Sequence, residues 1–422
     1  MKDILLAVLR EQVQPATGCT EPVAIALACA YGRAALTGEI TEVSLITSKA
    51  LFKNASSVGI PGTKEKGIEV AAALGLVAGD RTLGLRIFEM MNAADLALAK
   101  SFLATGKLKK GYLAVDNPVY VKVLLTTTEG KAEVIIKGKH DAVVSLSVNG
   151  IEQINQQQEE FITSNLQLSK YPLEDILTAV ASMPLASLEF LAIGVEMNLE
   201  VAEYGLKNQA GLGIGAGVQL LIKKGILGND LLNRIKSWVA AASDARMSGV
   251  NLPVMTSCGS GNQGFMITIP LYLVAKENAK THSELLYALA TAHLVNAYIK
   301  EFMGKLSPIC GCSTSAGGGL AAGIVQLLGG TNSQAAGAVN TLLASLVGTL
   351  CDGAKSTCSL KLETAAGEAL LYALLAIENI MVEEKVGVVA LEIEETFANL
   401  GRLSKIGMEN TDDIILQIIE AQ

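Results

Sequence analysis

Aromatic side chains are scarce: only 4% of the 422 residues are Phe, Trp or Tyr, with a single Trp. A core without large rings must close on many small aliphatic side chains, and half the residues are hydrophobic. Charged residues are thin at 18%, and with that apolar fraction intrinsic disorder is excluded. Basic residues are outnumbered, 33 Lys and Arg against 41 Asp and Glu, for a formal charge of −8. With no basic stripe to release counterions, nucleic acid is not an expected partner. Nor is a membrane, since the longest apolar runs, near Ala338–Leu350 and Ala369–Ile377, break before the ~20 residues of a bilayer span. Arg10 and Glu11 follow the start too closely for a secretory signal. Seven cysteines in that context predict a reducing cytoplasm, where thiols stay free, bind metal or react.

Against these absences stand abundant small residues, 41 Gly among them, and clear patterning. Residues 1–35 predict N-terminal helices at Asp3–Val13 and Val23–Ala35, broken by Pro15-Ala16-Thr17-Gly18 and expected to pack on a helical domain. Residues 36–165 predict an α+β domain. Alternating β-branched residues mark strands at Thr41–Thr47, Tyr120–Thr127, Lys131–Gly138 and Ala142–Val148. Helices around Lys66–Val77 and Ala93–Ala104 lie between the first strand and the others, and turns such as Glu129-Gly130 predict an antiparallel sheet. Residues 166–422 read as helix almost throughout, with a short strand at Val386–Glu392 and an amphipathic helix at Thr411–Ile419. The expected class is α+β: a large, mainly helical domain carrying the cysteine cluster, plus a smaller α+β domain.

Cys29 sits in an apolar helix and reads as a small buried hydrophobe. Cys258 abuts a glycine loop, its role open. Cys310, Cys312, Cys351 and Cys358 lie instead beside glycines and polar residues at helix ends. Thiols in such turns can converge on one metal centre or be reactive in their own right. No C-x₂₋₄-C pair of the structural zinc kind is present, and His140, His282 and His293 lie away from the cysteines in sequence. Soft thiolates also suit an iron–sulfur cluster, and three of them would leave one iron open as a Lewis acid. Spacing does not choose between zinc and iron–sulfur. Cys19, in Thr17-Gly18-Cys19-Thr20-Glu21-Pro22, precedes a helix whose dipole favours thiolate while Glu21 opposes it.

Two polar loops could hold a small acid. In Gly259-Ser260-Gly261-Asn262-Gln263-Gly264 the glycines let backbone N–H groups approach an anion, and Ser260, Asn262 and Gln263 add donors. Lys53 and Asn54 open a second turn that ends in Ile60-Pro61-Gly62-Thr63. Lys300 reads as a solvated or snorkelling lysine.

Five motifs in order carry a resemblance: Pro15-Ala16-Thr17-Gly18-Cys19-Thr20-Glu21-Pro22, the Lys53–Thr63 turn, Gly259–Gly264, Leu306-Ser307-Pro308-Ile309-Cys310-Gly311-Cys312, and Cys351-Asp352-Gly353-Ala354-Lys355-Ser356-Thr357-Cys358. Together with Gly407-Met408 and Thr411-Asp412, the chain resembles the L-cysteine desulfidase family, relatives of the iron–sulfur L-serine dehydratase α-chain. The resemblance implies a [4Fe–4S] cluster on Cys312, Cys351 and Cys358, Cys312 being preferred to Cys310 as the Gly-Cys pair opening a small-residue helix. It implies Cys19 as the base and Lys53, Asn54, Ser260, Asn262 and Gln263 as substrate-binding residues. The implied reaction is α,β-elimination of L-cysteine to sulfide, ammonia and pyruvate. Serine dehydratases place more than six residues between the last two cysteines, which favours the desulfidase branch. The expected partner is a small amino acid; self-association into a homo-oligomer stays open. Rival readings are L-serine dehydration on the same cluster, a pyridoxal-phosphate lyase using Lys53 or Lys300, and a metal-binding sensor without catalysis.

Overall fold

The computed structural model describes residues 1–115, 117–156, 167–304 and 306–421. The chain opens with α1 (Lys2–Gln12), β1 (Pro15–Thr17) and α2 (Thr20–Ala35), then β2 (Ile40–Ser48), α3 (Lys49–Ala55), α4 (Ile68–Ala78) and α5 (Ala93–Leu103). Strands β3 (Leu108–Leu113), β4 (Tyr120–Thr127), β5 (Gly130–Lys137), β6 (Val143–Val148) and β7 (Ile151–Asn155) follow. Beyond them run α6 (Leu173–Val180), α7 (Phe190–Asn208), α8 (Ile214–Lys223), α9 (Leu231–Met247), β8 (Pro253–Met255), α10 (Gly261–Glu277) and α11 (His282–Met303). The last helices are α12 (Gly317–Leu327), α13 (Asn332–Leu346), α14 (Cys358–Ile377), α15 (Ile393–Arg402) and α16 (Thr411–Glu420). The fold is α+β, as expected. Among the described residues no helix is long and apolar enough to cross a membrane.

One core forms on the sheet, ordered β3-β2-β4-β5-β6-β7. Along β4 alternate residues are buried, and Val121, Val123 and Leu125 face α2 because a strand's side chains alternate with period two. The sheet is mixed and departs from the antiparallel expectation at one edge. β2 and β3 run parallel, since the helical crossover α3–α5 returns the chain to the same end. The small-residue run of α2 fits because the helix is covered on two sides. Gly32 lies against Val134 and Leu125 of the sheet, and a Cβ on Gly75 of α4 would come within 2.2 Å of the Ala26 carbonyl. The N-terminal helices therefore divide: α1 joins the helical core, whereas α2 joins the sheet instead of the helical domain. The predicted strand at Val386–Glu392 is only a bridge between Val386 and Val389. The domain boundary expected at 165/166 lies outside the described residues.

The second core gathers α1 with the helices from α6 to α15 other than α8, which packs on α9. Small residues bring its axes close: a Cβ on Gly319 of α12 would sit 2.3 Å from the Ala292 carbonyl of α11. The few rings cluster, with Tyr298, Phe302 and Phe397 meeting in tilted and edge-to-face pairs at centroid distances of 5.5–5.9 Å. Helix α11 starts with a capping box, Thr281 accepting from the Glu284 amide and Glu284 from the Thr281 amide, a motif that contributes about 1 kcal/mol. The chain end returns to the first core. Leu416 of α16 is buried there, and Lys53 and Lys49 of α3 pair with Asp412 and Asp413.

Candidate active site

A cavity of about 370 Å³ opens where the two cores meet, lined from both. Two local devices hold its thiols on one side. A short antiparallel bridge joins Ile309 to Leu350: the Cys310 amide donates to Thr349 O at 2.8 Å and the Cys351 amide to Pro308 O at 2.7 Å. Two segments 41 residues apart in sequence are thus zipped side by side, with Cys312 starting a short π-helical turn that leads into α12. The loop to Cys358 is braced by Asp352, which pairs with Lys355 and, at 2.6 Å, with Lys361. Lys361 also donates to Leu350 O at 2.6 Å, and Cys358 opens α14.

Six of the seven cysteines, Cys19, Cys258, Cys310, Cys312, Cys351 and Cys358, line this cavity; Cys29 is buried in the sheet core, as expected. The Cys312 thiol donates to Cys310, which with the Ser313 amide holds Cys310 down to about 5 against its burial, while Cys312 moves up. Burial raises Cys351, opposed by the Lys53 charge, and pushes Cys358 up to about 12. Among the described residues no three His, Cys, Asp or Glu side chains converge as they would around a single metal ion.

Cys19 stands at the start of α2, after Gly18, whose backbone has φ +72°. It packs with Val58 and Met247 against Cys358. Burial pushes its thiol up to about 12, outweighing the opposing pull of Arg246. The contest between helix dipole and Glu21 anticipated in the sequence is thus decided upward, chiefly by desolvation.

The expected carboxylate residues all line the cavity as well, yet most of their polar atoms are engaged. Lys53, 2% exposed, pairs with Asp412 at 2.6 Å. Asn54 donates to Glu21 at 3.0 Å. Asn262 accepts from Arg246 at 3.2 Å, and Gln263 accepts from Asn296 at 3.0 Å. Ser260 caps α10 in extended conformation, beside a tight Ser257–Ser260 turn. Close packing fixes this turn: a Cβ on Gly264 would lie 1.9 Å from the Met255 carbonyl.

Sequence reasoning missed three lining residues. Lys300 is buried, not solvated, and a Cβ on Gly311 would sit 3.3 Å from its Nζ. Burial lowers its pKa and the surrounding thiols oppose that. His140 reaches the cavity from the loop after β5, although distant from the cysteines in sequence. Arg246, in the last turn of α9, is 4% exposed and donates to Gly18 O at 3.0 Å as well as to Asn262. Its available signal was the pair of charges, Asp244 and Arg246, interrupting the small-residue run Val239–Met247.

The sequence profile of the serine dehydratase alpha chain family matches residues 83–417. A UPF0597 protein of Clostridioides difficile (strain 630) is 39% identical over 98% of both chains. UPF0597 proteins of Alkaliphilus oremlandii (37%, over 100% of this chain and 99% of the relative) and Clostridium botulinum strain Loch Maree (37%, over 98% and 96%) are similar over their whole length.

Proposed function

Because the chain belongs to the serine dehydratase alpha chain family, we propose that it is an iron–sulfur lyase that eliminates sulfide from L-cysteine. L-cysteine and water give sulfide, ammonia and pyruvate. One observation carries the reading: Cys310, Cys312, Cys351 and Cys358 line the same cavity as Cys19, at the junction of two cores. Soft thiolates gathered on one cavity suit an iron–sulfur group by the chemistry of the donor set. Cys312, Cys351 and Cys358 would hold a [4Fe–4S] cluster, which when bound supplies a Lewis-acidic iron with an open position for the leaving sulfur.

The chain's own residues then bind, orient and move a proton. Ser260 and the open N–H groups of the first turn of α10, with Asn262, Gln263, Lys53 and Asn54 around them, receive the carboxylate and fix the α-carbon near Cys19. Holding the reactants in register turns a bimolecular step into an effectively unimolecular one. Cys19, as thiolate, takes the α-proton; the burial that makes this thiolate costly to form also makes it a strong base. Such thiol and iron chemistry belongs to a reducing cytoplasm.

The family's description favours a second reading, L-serine dehydration to pyruvate and ammonia in the same cavity. Anaerobic purification with iron and sulfide analysis, followed by turnover of L-cysteine and L-serine side by side, separates the two. A brown protein that releases sulfide from L-cysteine, and loses both colour and activity in Cys351→Ser, is the expected outcome. Faster pyruvate release from serine selects the second reading, and protein without iron but fully active sinks both.

A further inference from the structure

We propose that Arg246 is the anchor for the substrate's α-carboxylate, an assignment that rests on reading the site as an amino-acid lyase. Arg246 is 4% exposed and lines the cavity. Among the described residues no carboxylate lies within ion-pair distance of its guanidinium, and its Nε is buried without a hydrogen-bond partner. Removing an ion from water costs several kcal/mol unless a counter-charge and hydrogen bonds replace the solvent. Two of the five guanidinium N–H donors are used, by Gly18 O and Asn262 Oδ1, so three remain on a planar fork whose geometry matches a carboxylate.

The other cations of the cavity wall are placed differently: Lys139 is exposed, on the loop after β5. Lys53 is paired with Asp412, and Lys361 with Asp352. Lys300 sits beside Gly311, among the thiols, where it faces the departing sulfur's side. Arg246 alone grips the peptide immediately before Cys19, through Gly18 O, and the loop expected to receive the carboxylate, through Asn262. A carboxylate seated on it therefore has its α-carbon beside the base. The site takes a small α-amino acid with a free carboxylate and discriminates against the corresponding ester.

The test compares L-cysteine with L-cysteine methyl ester in anaerobically prepared full-length protein, as wild type, R246K and R246Q. The expected result is a roughly 10- to 100-fold higher KM for L-cysteine in R246Q, a smaller rise in R246K, and an ester KM that is high in the wild type and unchanged by either substitution. A KM for L-cysteine that stays put, or rises together with that of the ester, overturns the assignment, because a merely structural role would weaken both. Far-UV circular dichroism monitors folding, and if R246Q does not fold, R246K carries the comparison. If the wild type turns over neither cysteine nor serine, the lyase reading fails separately, and the anchor is judged by binding. L-alanine should then raise the thermal unfolding midpoint of the wild type but not of R246K; no shift in the wild type, or equal shifts in both, overturns it.

Discussion

Gly18 and Gly62 have almost the same backbone, φ +72° and +73°, but opposite surroundings. Substituting Ala at either position forces a Cβ into the left-handed region, which costs roughly 1–2 kcal/mol. The stiffer unfolded chain returns about 0.4–1 kcal/mol of that. Among the described residues nothing lies within 4 Å of the new methyl at Gly62, so Gly62→Ala should cost about 1 kcal/mol and no more. At Gly18 the methyl would fall 2.2 Å from Cγ of Pro61, a buried ring, and the gap must open to at least 3.0 Å. Overpacking of that kind adds roughly 1–3 kcal/mol. Because Cys19 is the next residue, a shift approaching 1 Å also misaligns the proposed base and should cost on the order of 100-fold in turnover. Urea unfolding followed by far-UV circular dichroism, with the slope checked for constancy, reads the difference between the two variants. A double-mutant cycle isolates its cause, since Pro61→Ala removes Cγ and leaves Cβ, which stands 3.6 Å from the added methyl. In that background Gly18→Ala should cost no more than Gly62→Ala. Equal losses for Gly18→Ala and Gly62→Ala in the native background would refute the steric account and leave backbone conformation as the only demand for glycine.

His293 supplies a pH prediction. Burial lowers its pKa to about 3, and its Nδ1 lies 2.9 Å from Ser257 Oγ. A depressed folded pKa means that the stabilisation is complete above the unfolded value of about 6.5 and is lost as pH falls toward 3, at up to ~1.4 kcal/mol per unit. Urea midpoints measured between pH 7 and 5 should therefore fall more steeply for the wild type than for His293→Gln; parallel curves would remove the argument. The Lys53–Asp412 pair supplies another prediction, because one partner is 2% exposed and the other 19%. Asp412→Ala leaves a buried ammonium unpaired and should cost about 3 kcal/mol, with earlier proteolytic release of α16. Adding Lys53→Met should recover part of that loss, and strict additivity would show the two charges to be uncoupled.

Period-two patterning was enough to find β4 and its neighbours, because each of those strands buries one face in the core that α2 shares. The parallel edge strand β3 was not legible: its Lys109, Lys110 and Gly111 break the alternation, and its pairing with β2 is set by a crossover of three helices. That α2 would be buried could be read from its small residues. Which core it joins could not, since that depends on Ala26 meeting Gly75 from another helix. The same division runs through the site. Glycines and cysteines at helix ends announce themselves by residue type, so the thiol-lined wall was anticipated. Lys300 belongs to α11, a helix buried on nearly every face in its second half, where 3.6-residue periodicity carries no information about direction. Arg246 becomes informative only through partners 16 and 228 residues away, Asn262 and Gly18. The proposed role of this charge rests on the absence of a carboxylate within ion-pair distance among the described residues, and the sequence of a single chain holds no record of that absence. The local signals thus locate the thiols of the proposed leaving-group chemistry, whereas the proposed grip on the rest of the substrate depends on how the two cores pack on each other.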